Sequence, residues 1–482
     1  MQSPFRKDGV FMKRRELVIV LLCLLVLSNI ATYRFTRFFF SSPAVEIPWE
    51  WGQEGLLREV WAILDKKYFQ PLDEDKMIQG AIKGMLESLD DPYTAYLSPE
   101  SMENMMIHTI GSLSGIGVEI IEDEGEILIL RVFDGSPAEQ AGVRRGDCIV
   151  EVEGKSMEGV KLDDAARLLR GPNGTTVNIA VRRGGEKDLL QFTITRAQID
   201  IDTVFARFLE KGVGYIKITN FDQGTGEDFQ ESLASLEQEG LQGLILDLRD
   251  NAGGLLDEAV AVGEIIVPAG EITRVVDREG NVQERYLSSA EPKDYEIVVL
   301  VNEYTASAAE IIAGALQDSS KAKLVGMPTY GKATVQHLHY LSDGGGLRYT
   351  IAKYLTPRGY DLHQQGLQPD FTVELPTEYY LQYYTLPRQM EQGDSGETVA
   401  LLQNMLAFLG YPVEITGVFD AATADNLKEF QRKHNLPVTG AMDLATRESF
   451  HAALTEKAGE VDKQLKFALD ILTAKSLSAH KN

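Results

Sequence analysis

Between Glu296 and Gln336 the chain reads strand, turn, helix, strand, and this order confines the region to an α/β arrangement. Glu296-Ile-Val-Val-Leu-Val-Asn302 is a short apolar run of strand type. Glu303-Tyr-Thr-Ala-Ser-Ala-Ala-Glu310 then turns it into an Ala/Ile/Leu helix of roughly three turns. Ser307 therefore falls near a helix N-terminus, where backbone N–H groups lack intrahelical partners and the dipole is positive, so a serine oxygen and a developing oxyanion would both find donors. Small neighbours, Ala306, Ala308 and Ala309, leave room for a substrate backbone. The same Ser307-Ala-Ala-Glu310 stretch also reads as a capping box with a purely structural purpose. Beyond Leu324-Val-Gly326, the segment Tyr330-Gly-Lys-Ala-Thr-Val-Gln-His-Leu-His-Tyr340 reads as a strand entered through a glycine turn. Period two would put Lys332, Thr334 and Gln336 on one face and Val335, His337 and His339 on the other.

Serine, lysine and glutamine at these places point to a hydrolase. A serine hydroxyl is a poor nucleophile unless a positioned base takes its proton. Lysine can be that base only when neutral, which requires burial to bring its pKa well below the usual value near 10.4. Gln336 on the face of Lys332 would hydrogen-bond and orient it, while the two histidines point away. A solvated strand-end lysine is the competing reading.

These residues resemble those of the C-terminal processing (tail-specific) serine peptidases, in the stretch Ala306-Ser307-Ala308 and in Gly331-Lys-Ala-Thr-Val-Gln336. Further likeness lies in Leu86-Glu-Ser-Leu-Asp-Asp-Pro-Tyr-Thr-Ala-Tyr-Leu97, Gly214-Tyr-Ile-Lys-Ile218, Asp247-Leu-Arg-Asp-Asn-Ala-Gly-Gly254, Tyr349-Thr-Ile-Ala-Lys-Tyr354 and Gly366-Leu-Gln-Pro-Asp370. The resemblance implies that Ser307 is the nucleophile, Lys332 the general base and Gln336 the residue that positions it. It implies cleavage at small or apolar residues near C-termini, without metal or nucleotide cofactor, and a possible homo-oligomer. The paired glycines after the strand Gly243–Leu246 let backbone approach a substrate, so one oxyanion N–H is expected at Gly253 or Gly254 and the other at Ala308. Ala252 stands where the family usually has proline, and Ala333 where it usually has glycine. Both bear on loop geometry more than on reaction type.

The whole chain reads as an α+β multidomain protein. Residues 1–41 form a cytoplasmic stub and membrane anchor, because Leu17–Tyr33 is an uncharged, largely apolar run close to the minimum length for a bilayer crossing. Arg6, Lys7, Lys13, Arg14 and Arg15 before it outnumber Arg34 and Arg37 after it, so the rest should lie outside the cytoplasm; secretion after signal-peptide cleavage is the alternative. Residues 42–106 are helical, with Leu56, Leu57, Val60, Trp61 and Leu64 at helix spacing. Residues 107–199 resemble a PDZ domain, in which Gly115-Ile116-Gly117-Val118 looks like the carboxylate-binding loop and Arg170 ends the helix, as a ligand contact or as a helix-end cation. The α/β peptidase core spans 200–385.

In residues 386–455 the sequence repeats itself, Thr416-Gly-Val-Phe-Asp-Ala-Ala-Thr423 recurring as Thr439-Gly-Ala-Met-Asp-Leu-Ala-Thr446. The Asp or Thr of each copy should cap a helix, and the segment resembles small all-α peptidoglycan-binding domains. Residues 456–482 read as an amphipathic helical tail. A net charge of −25 argues against a nucleic-acid surface. Cys23 falls in the apolar run and Cys148 is the second of two cysteines, so no intrachain disulfide is expected. The expected partners are thus protein or peptide substrates with free C-termini, peptidoglycan, and a membrane through the N-terminal helix. A peptidoglycan hydrolase is disfavoured because neither H-E-x-x-H nor a Cys/His zinc spacing occurs. A non-catalytic PDZ scaffold at the wall would need neither Ser307 nor Lys332.

Overall fold

The computed structural model describes residues 54–482 except 100, 103–104, 106–111, 124, 185–187, 201, 211, 388 and 480–482. The expected membrane run Leu17–Tyr33 lies outside them; among the described residues no helix is long and apolar enough to cross a membrane. The chain divides into two compact units, residues 1–80 and 81–482. The first holds helix α1 (Glu54–Lys67) and the opening of α2 (Glu74–Glu87), with Leu56, Leu57, Val60 and Ile63 of α1 exposed.

The second unit holds the rest of α2, then β1 (Ala95–Leu97), and continues into the PDZ domain. Strand β2 (Ser112–Gly115) leads to β3 (Val118–Asp123) and β4 (Glu126–Val132), followed by the short helix α3 (Pro137–Ala141). Next come β5 (Cys148–Val152), β6 (Lys155–Ser156), α4 (Leu162–Leu169), β7 (Thr176–Arg182), β8 (Leu190–Thr195) and β9 (Ala197–Asp200). The sheet order β3-β4-β5-β7-β8 leaves one side of β3 unpaired beside α4, the arrangement that accepts a peptide as an added strand. A cavity of about 330 Å³ runs there, lined by Gly115–Ile120, Leu169 and Arg170 among others. Asp147 is fully buried and satisfied by both arms of Arg183 at 2.7 Å.

The peptidase core is built on a sheet ordered β10 (Val204–Phe208), β11 (Val213–Ile218), β12 (Gly243–Asp247), β15 (Glu296–Val301), β16 (Ala322–Gly326) and β19 (Phe371–Thr372). All neighbours are parallel except β10, as expected of strands that read as continuous apolar runs. Helices α5 (Thr225–Gln238), α6 (Leu256–Ile266) and α7 (Ala308–Asp318) bury one face. A second sheet, β1-β18-β13-β14 with β17 on β18, consists of β13 (Gly270–Val276), β14 (Val282–Ser288), β17 (Thr334–Tyr340) and β18 (Gly346–Leu355) beside β1.

In the C-terminal helical domain, α8 (Glu397–Phe408), α9 (Ala421–Lys433) and α10 (Leu444–Glu460) surround Phe419, Phe430 and Phe450. Asp420 and Asp443 accept from the N–H groups of Thr423 and Thr446, so in each repeat the aspartate is the cap. Each repeat also folds around a fully buried glutamine. Gln403 Oε1 accepts from Thr416 and Gly417, and Gln431 Oε1 from Thr439 and Gly440.

The final segment, which the sequence marks as an amphipathic helical tail, packs on the core. Helix α11 (Lys463–Ala479) packs Ala468 and Leu472 on Val213, Ile245, Val298, Leu300 and Val325, covering the face of the core sheet that α5–α7 leave bare. Its amphipathic face meets the core because a parallel sheet is apolar on both sides and must be buried twice.

Candidate active site

Parallel strands in register deliver their C-terminal ends together, and ligands bind at that edge of an open α/β sheet. Asp247 of β12 pairs with Leu300 of β15, and Val301 of β15 with Gly326 of β16. The loops that follow carry Gly253 and Gly254, Ser307, and Lys332 respectively.

The first two loops are laced to each other. Ala306 N–H donates to Asn251 O at 2.9 Å, Thr305 Oγ1 to Leu248 O at 2.8 Å, and Asn302 Nδ2 to Asp250 Oδ1 at 2.8 Å. Gly253 lies directly against the serine: a Cβ there would sit 2.7 Å from Ser307 Cβ and 3.0 Å from Ala308 N. Ser307 is the N-cap residue of α7 and holds φ +57°, a left-handed value that costs a non-glycine residue about 1–3 kcal/mol and persists only where the surroundings impose it.

Glu310 imposes it. Its carboxylate, with no exposed surface, accepts from Ser307 N–H at 2.8 Å and Lys332 N–H at 2.9 Å on one oxygen. The other oxygen accepts from Thr329 Oγ1 at 2.5 Å and Gly331 N–H at 2.8 Å. Burial pushes its pKa up against these four donors. The buried Tyr354 hydroxyl shares its one proton between the carbonyls of Ser307 and Lys332. Two side chains thus bridge the backbones of the serine and the lysine.

Lys332 itself is half-buried, and it lies in the irregular segment before β17 rather than in the strand. Burial first, and then the Arg348 charge, hold its amine below the usual lysine range, with Glu310 opposing. Its Nζ stands 5.0 Å from the centre of the Tyr93 ring. The expected Gln336 contact to Lys332 is not made: Gln336 Nε2 donates to Thr334 Oγ1 at 2.8 Å and Thr350 Oγ1 at 3.4 Å. The face-sharing argument extended strand periodicity to a residue outside the strand, and two threonine hydroxyls offer acceptors at Gln336's own level. His337 and His339 are exposed, and His337 meets only the edge of Tyr349 in its ring contact.

Of the expected oxyanion donors, Gly253 N–H is already committed to Asn251 Oδ1 at 2.8 Å. Ala308 N–H and Gly254 N–H have no hydrogen-bond partner among the described residues, and Gly254 is exposed. Gly254 needs to be glycine, since a Cβ would stand 2.3 Å from Phe221 O. Of the two departures from the family pattern, Ala333 is fully buried in the core and Ala252 is exposed.

In the PDZ domain Gly117 holds φ +79°, and a Cβ there would stand 2.3 Å from Ser136 Cβ, so the position requires glycine on both counts. Gly115, Ile116, Gly117 and Val118 line the groove, and so does half-buried Arg170, which makes no ion pair among the described residues. Arg170 N–H also closes α4 on Ala166 O, so it occupies the helix end as well as the groove. Glu310, Tyr354 and Tyr93 were not found from sequence as site residues. Glu310 was visible only as half of a capping box, and Tyr93 and Tyr354 only as members of quoted motifs.

A strained serine at a helix N-terminus, beside a half-buried lysine of lowered pKa and unclaimed backbone donors, is an arrangement from which a serine hydrolase can be built. The family model of peptidase family S41 matches residues 212–373, a PDZ domain model 128–183, a putative peptidoglycan binding domain model 395–449 and an activating protease CtpB N-terminal domain model 54–101. Carboxy-terminal processing protease CtpA of Bacillus subtilis (strain 168) is 36% identical over 417 residues, 86% of this chain and 89% of that relative. A probable CtpA-like serine protease of Staphylococcus aureus (strain COL) is 33% identical over 478 residues, 98% of this chain and 95% of the relative. Among solved structures, a photosystem II D1 C-terminal processing protease is 33% identical, covering 67% of this chain and 88% of that chain, with a TM-score of 0.42. The chain belongs to the carboxy-terminal processing serine proteases of peptidase family S41, with a PDZ domain and a peptidoglycan-binding domain.

Proposed function

We infer that the chain cleaves proteins near their C-termini by a Ser307–Lys332 dyad through an acyl-enzyme. Neutral Lys332 takes the Ser307 Oγ proton as the oxygen attacks the scissile carbonyl. The oxyanion receives hydrogen bonds from Ala308 and Gly254 N–H, each such donor typically worth about 2.7–4 kcal/mol in the transition state. Collapse expels the amine, which takes its proton from the Lys332 ammonium. A water then attacks the acyl ester, gives its proton to Lys332, and the proton returns to Ser307 Oγ. Gln336 would orient the amine through its Oε1, since its Nε2 donates to Thr334.

The observation that carries this reading is the double bridge from Glu310 and Tyr354 between the backbones of the two residues. Free C-termini would be captured along β3, where the loop Gly115–Val118 and Arg170 meet a terminal carboxylate. The run Leu17–Tyr33 with its basic flank supports a single-pass anchor that leaves these domains extracytoplasmic, and the helical domain would hold them near peptidoglycan.

The test is cleavage of an unfolded protein with an apolar C-terminus by the full chain and its variants. Ser307→Ala, Lys332→Ala and Lys332→Arg should be inactive, because guanidinium stays charged, and His337→Ala should cleave normally. Turnover by folded Lys332→Arg would sink the dyad.

A further inference from the structure

A lysine amine rides on a flexible four-carbon stem, so a base built from it needs something to hold it. Gln336 is engaged by Thr334 and Thr350, and Nζ of Lys332 has no hydrogen-bond partner among the described residues. What the amine does touch is the face of Tyr93, 5.0 Å from the ring centre.

That ring is itself held firmly. Asp91 Oδ1 accepts from Tyr93 N–H at 3.0 Å, and Asp91 Oδ2 from Thr94 Oγ1 at 2.7 Å. Arg348 Nε donates to Tyr93 O at 3.0 Å, and Thr350 N–H to Thr94 Oγ1 at 3.2 Å. Burial and the neighbouring Tyr330 phenol push the pKa of Tyr93 up to about 12. Its ring centre lies 6.4 Å from that of His363, whose Nδ1 is buried without a partner. Pairing of β1 with β18 fixes the whole turn against the strand that bears Arg348.

We propose that Tyr93 is the positioning residue of Lys332, its ring face holding the ammonium in place until the amine is called to take the serine proton. The inference rests on the Ser307–Lys332 reading. A ring face attracts a cation and is indifferent to a neutral amine, so this hold is strong before deprotonation and slack after it. The groups facing the lysine divide. Tyr93 and Glu310 of α7 favour the charged form, whereas burial and Arg348 of β18 favour the neutral one. Tyr330, Asp91 and His363 are neighbours of Tyr93: the His363 ring lies against its ring, Asp91 accepts from its N–H, and the Tyr330 phenol raises its pKa. Arg348 therefore both repels the ammonium and pins the platform that holds it.

Removing the ring should release the proton at lower pH and leave the amine unplaced. The experiment is the pH profile of kcat/KM for the full chain on a peptide with a free C-terminus, in wild type, Tyr93→Phe and Tyr93→Leu. Tyr93→Phe should keep the acid limb in place and most of the turnover. Tyr93→Leu should move the limb down by up to about one pH unit and lower kcat at least about tenfold, with KM little changed. If Tyr93→Leu does not fold, phenylalanines carrying one, two and three ring fluorines at position 93 weaken the cation–π attraction at constant shape, and the limb should step down with each fluorine. A limb that stays at the wild-type pH in folded Tyr93→Leu, or across the fluorine series, overturns the proposal. So does a Tyr93→Phe enzyme that behaves like Tyr93→Leu, since the hydroxyl and not the face would then matter. Ser307→Ala and Lys332→Ala separate the two failures: activity in either overturns the dyad itself, while their inactivity beside an unmoved limb overturns the role of Tyr93 alone.

Discussion

Glu310 satisfies four donors from two segments with one buried carboxylate, and no other side chain type of its size accepts on both ends. Glu310→Gln keeps the shape but turns an NH₂ group toward two of those donors. Leaving buried donors unpaired costs about 1–3 kcal/mol each, so the variant should melt several degrees lower and lose at least about tenfold in kcat. A wild-type melt by circular dichroism together with wild-type turnover would remove Glu310 from the account. Gly253 makes a complementary case. It holds φ +105° and presses on Ser307, so in Gly253→Ala the methyl must displace either the serine or its own loop. The expected result is a folded protein with kcat reduced at least about a hundredfold, since an oxyanion donor misplaced by an ångström is largely lost. Equal cleavage by Gly253→Ala would show that the loop yields freely. The serine and lysine could be singled out as candidates because strand-turn-helix periodicity and the GK turn leave local marks. The roles of Glu310, Tyr354 and Tyr93 were not, because each depends on which distant backbone its side chain reaches.

Helix α11 and strand β12 are joined by a buried charge network that works as a structural rivet. Arg249 lies between Asp247, at 2.9 and 2.6 Å, and Asp462 and Gln464, both at 3.1 Å, while Tyr215 donates to Asp247 at 2.8 Å. Burial disfavours the Asp247 charge, yet Arg249 beside it holds its pKa below the usual aspartate range. A carboxyl whose folded pKa is depressed contributes stability above its unfolded value, near 3.8, and loses it as pH falls through the lower folded one. Acid should therefore loosen α11 from the sheet only below about pH 4. Asp462→Ala removes one of the three partners of Arg249, leaving Asp247 and Gln464, and should destabilise by about 1.5–3 kcal/mol, read in a chemical denaturation at pH 7. A change under about 1 kcal/mol would mean that water replaces Asp462 without cost. The amphipathic pattern of this helix was plain in the sequence, but a pattern states that a face must be covered, not by what. The repeats of the C-terminal domain show the same limit: their capping aspartates were readable locally, whereas Gln403 and Gln431 act on loops 13 and 8 residues away.

Across the larger unit, the PDZ domain is fastened to the C-terminal helical domain. Arg447, nearly buried, donates to Asp123 Oδ2 at 2.9 Å and to Leu386 O at 3.2 Å, Arg145 pairs with Glu448 at 2.8 Å, and Leu444 packs 3.4 Å from the Cβ position of Gly146. Strand β3 serves both faces. Val118–Ile120 line the peptide groove, and Ile121–Asp123 line a cavity of about 350 Å³ against α10 and Leu386. A side chain exposed by only 9% on one partner and 13% on the other is desolvated enough for the pair to matter, whereas Arg145, half exposed, contributes little. Arg447→Ala should therefore detach the PDZ domain while leaving both domains folded. Small-angle scattering should show a larger radius of gyration, and limited proteolysis should cut first near the ends of the domain. Arg145→Ala should change neither. If Arg447→Ala scatters like wild type, the apolar contact at Leu444 is enough to hold the domains, and Leu444→Asp in the same background should then release them. Release by that second change alone would assign the interface to packing rather than to charge.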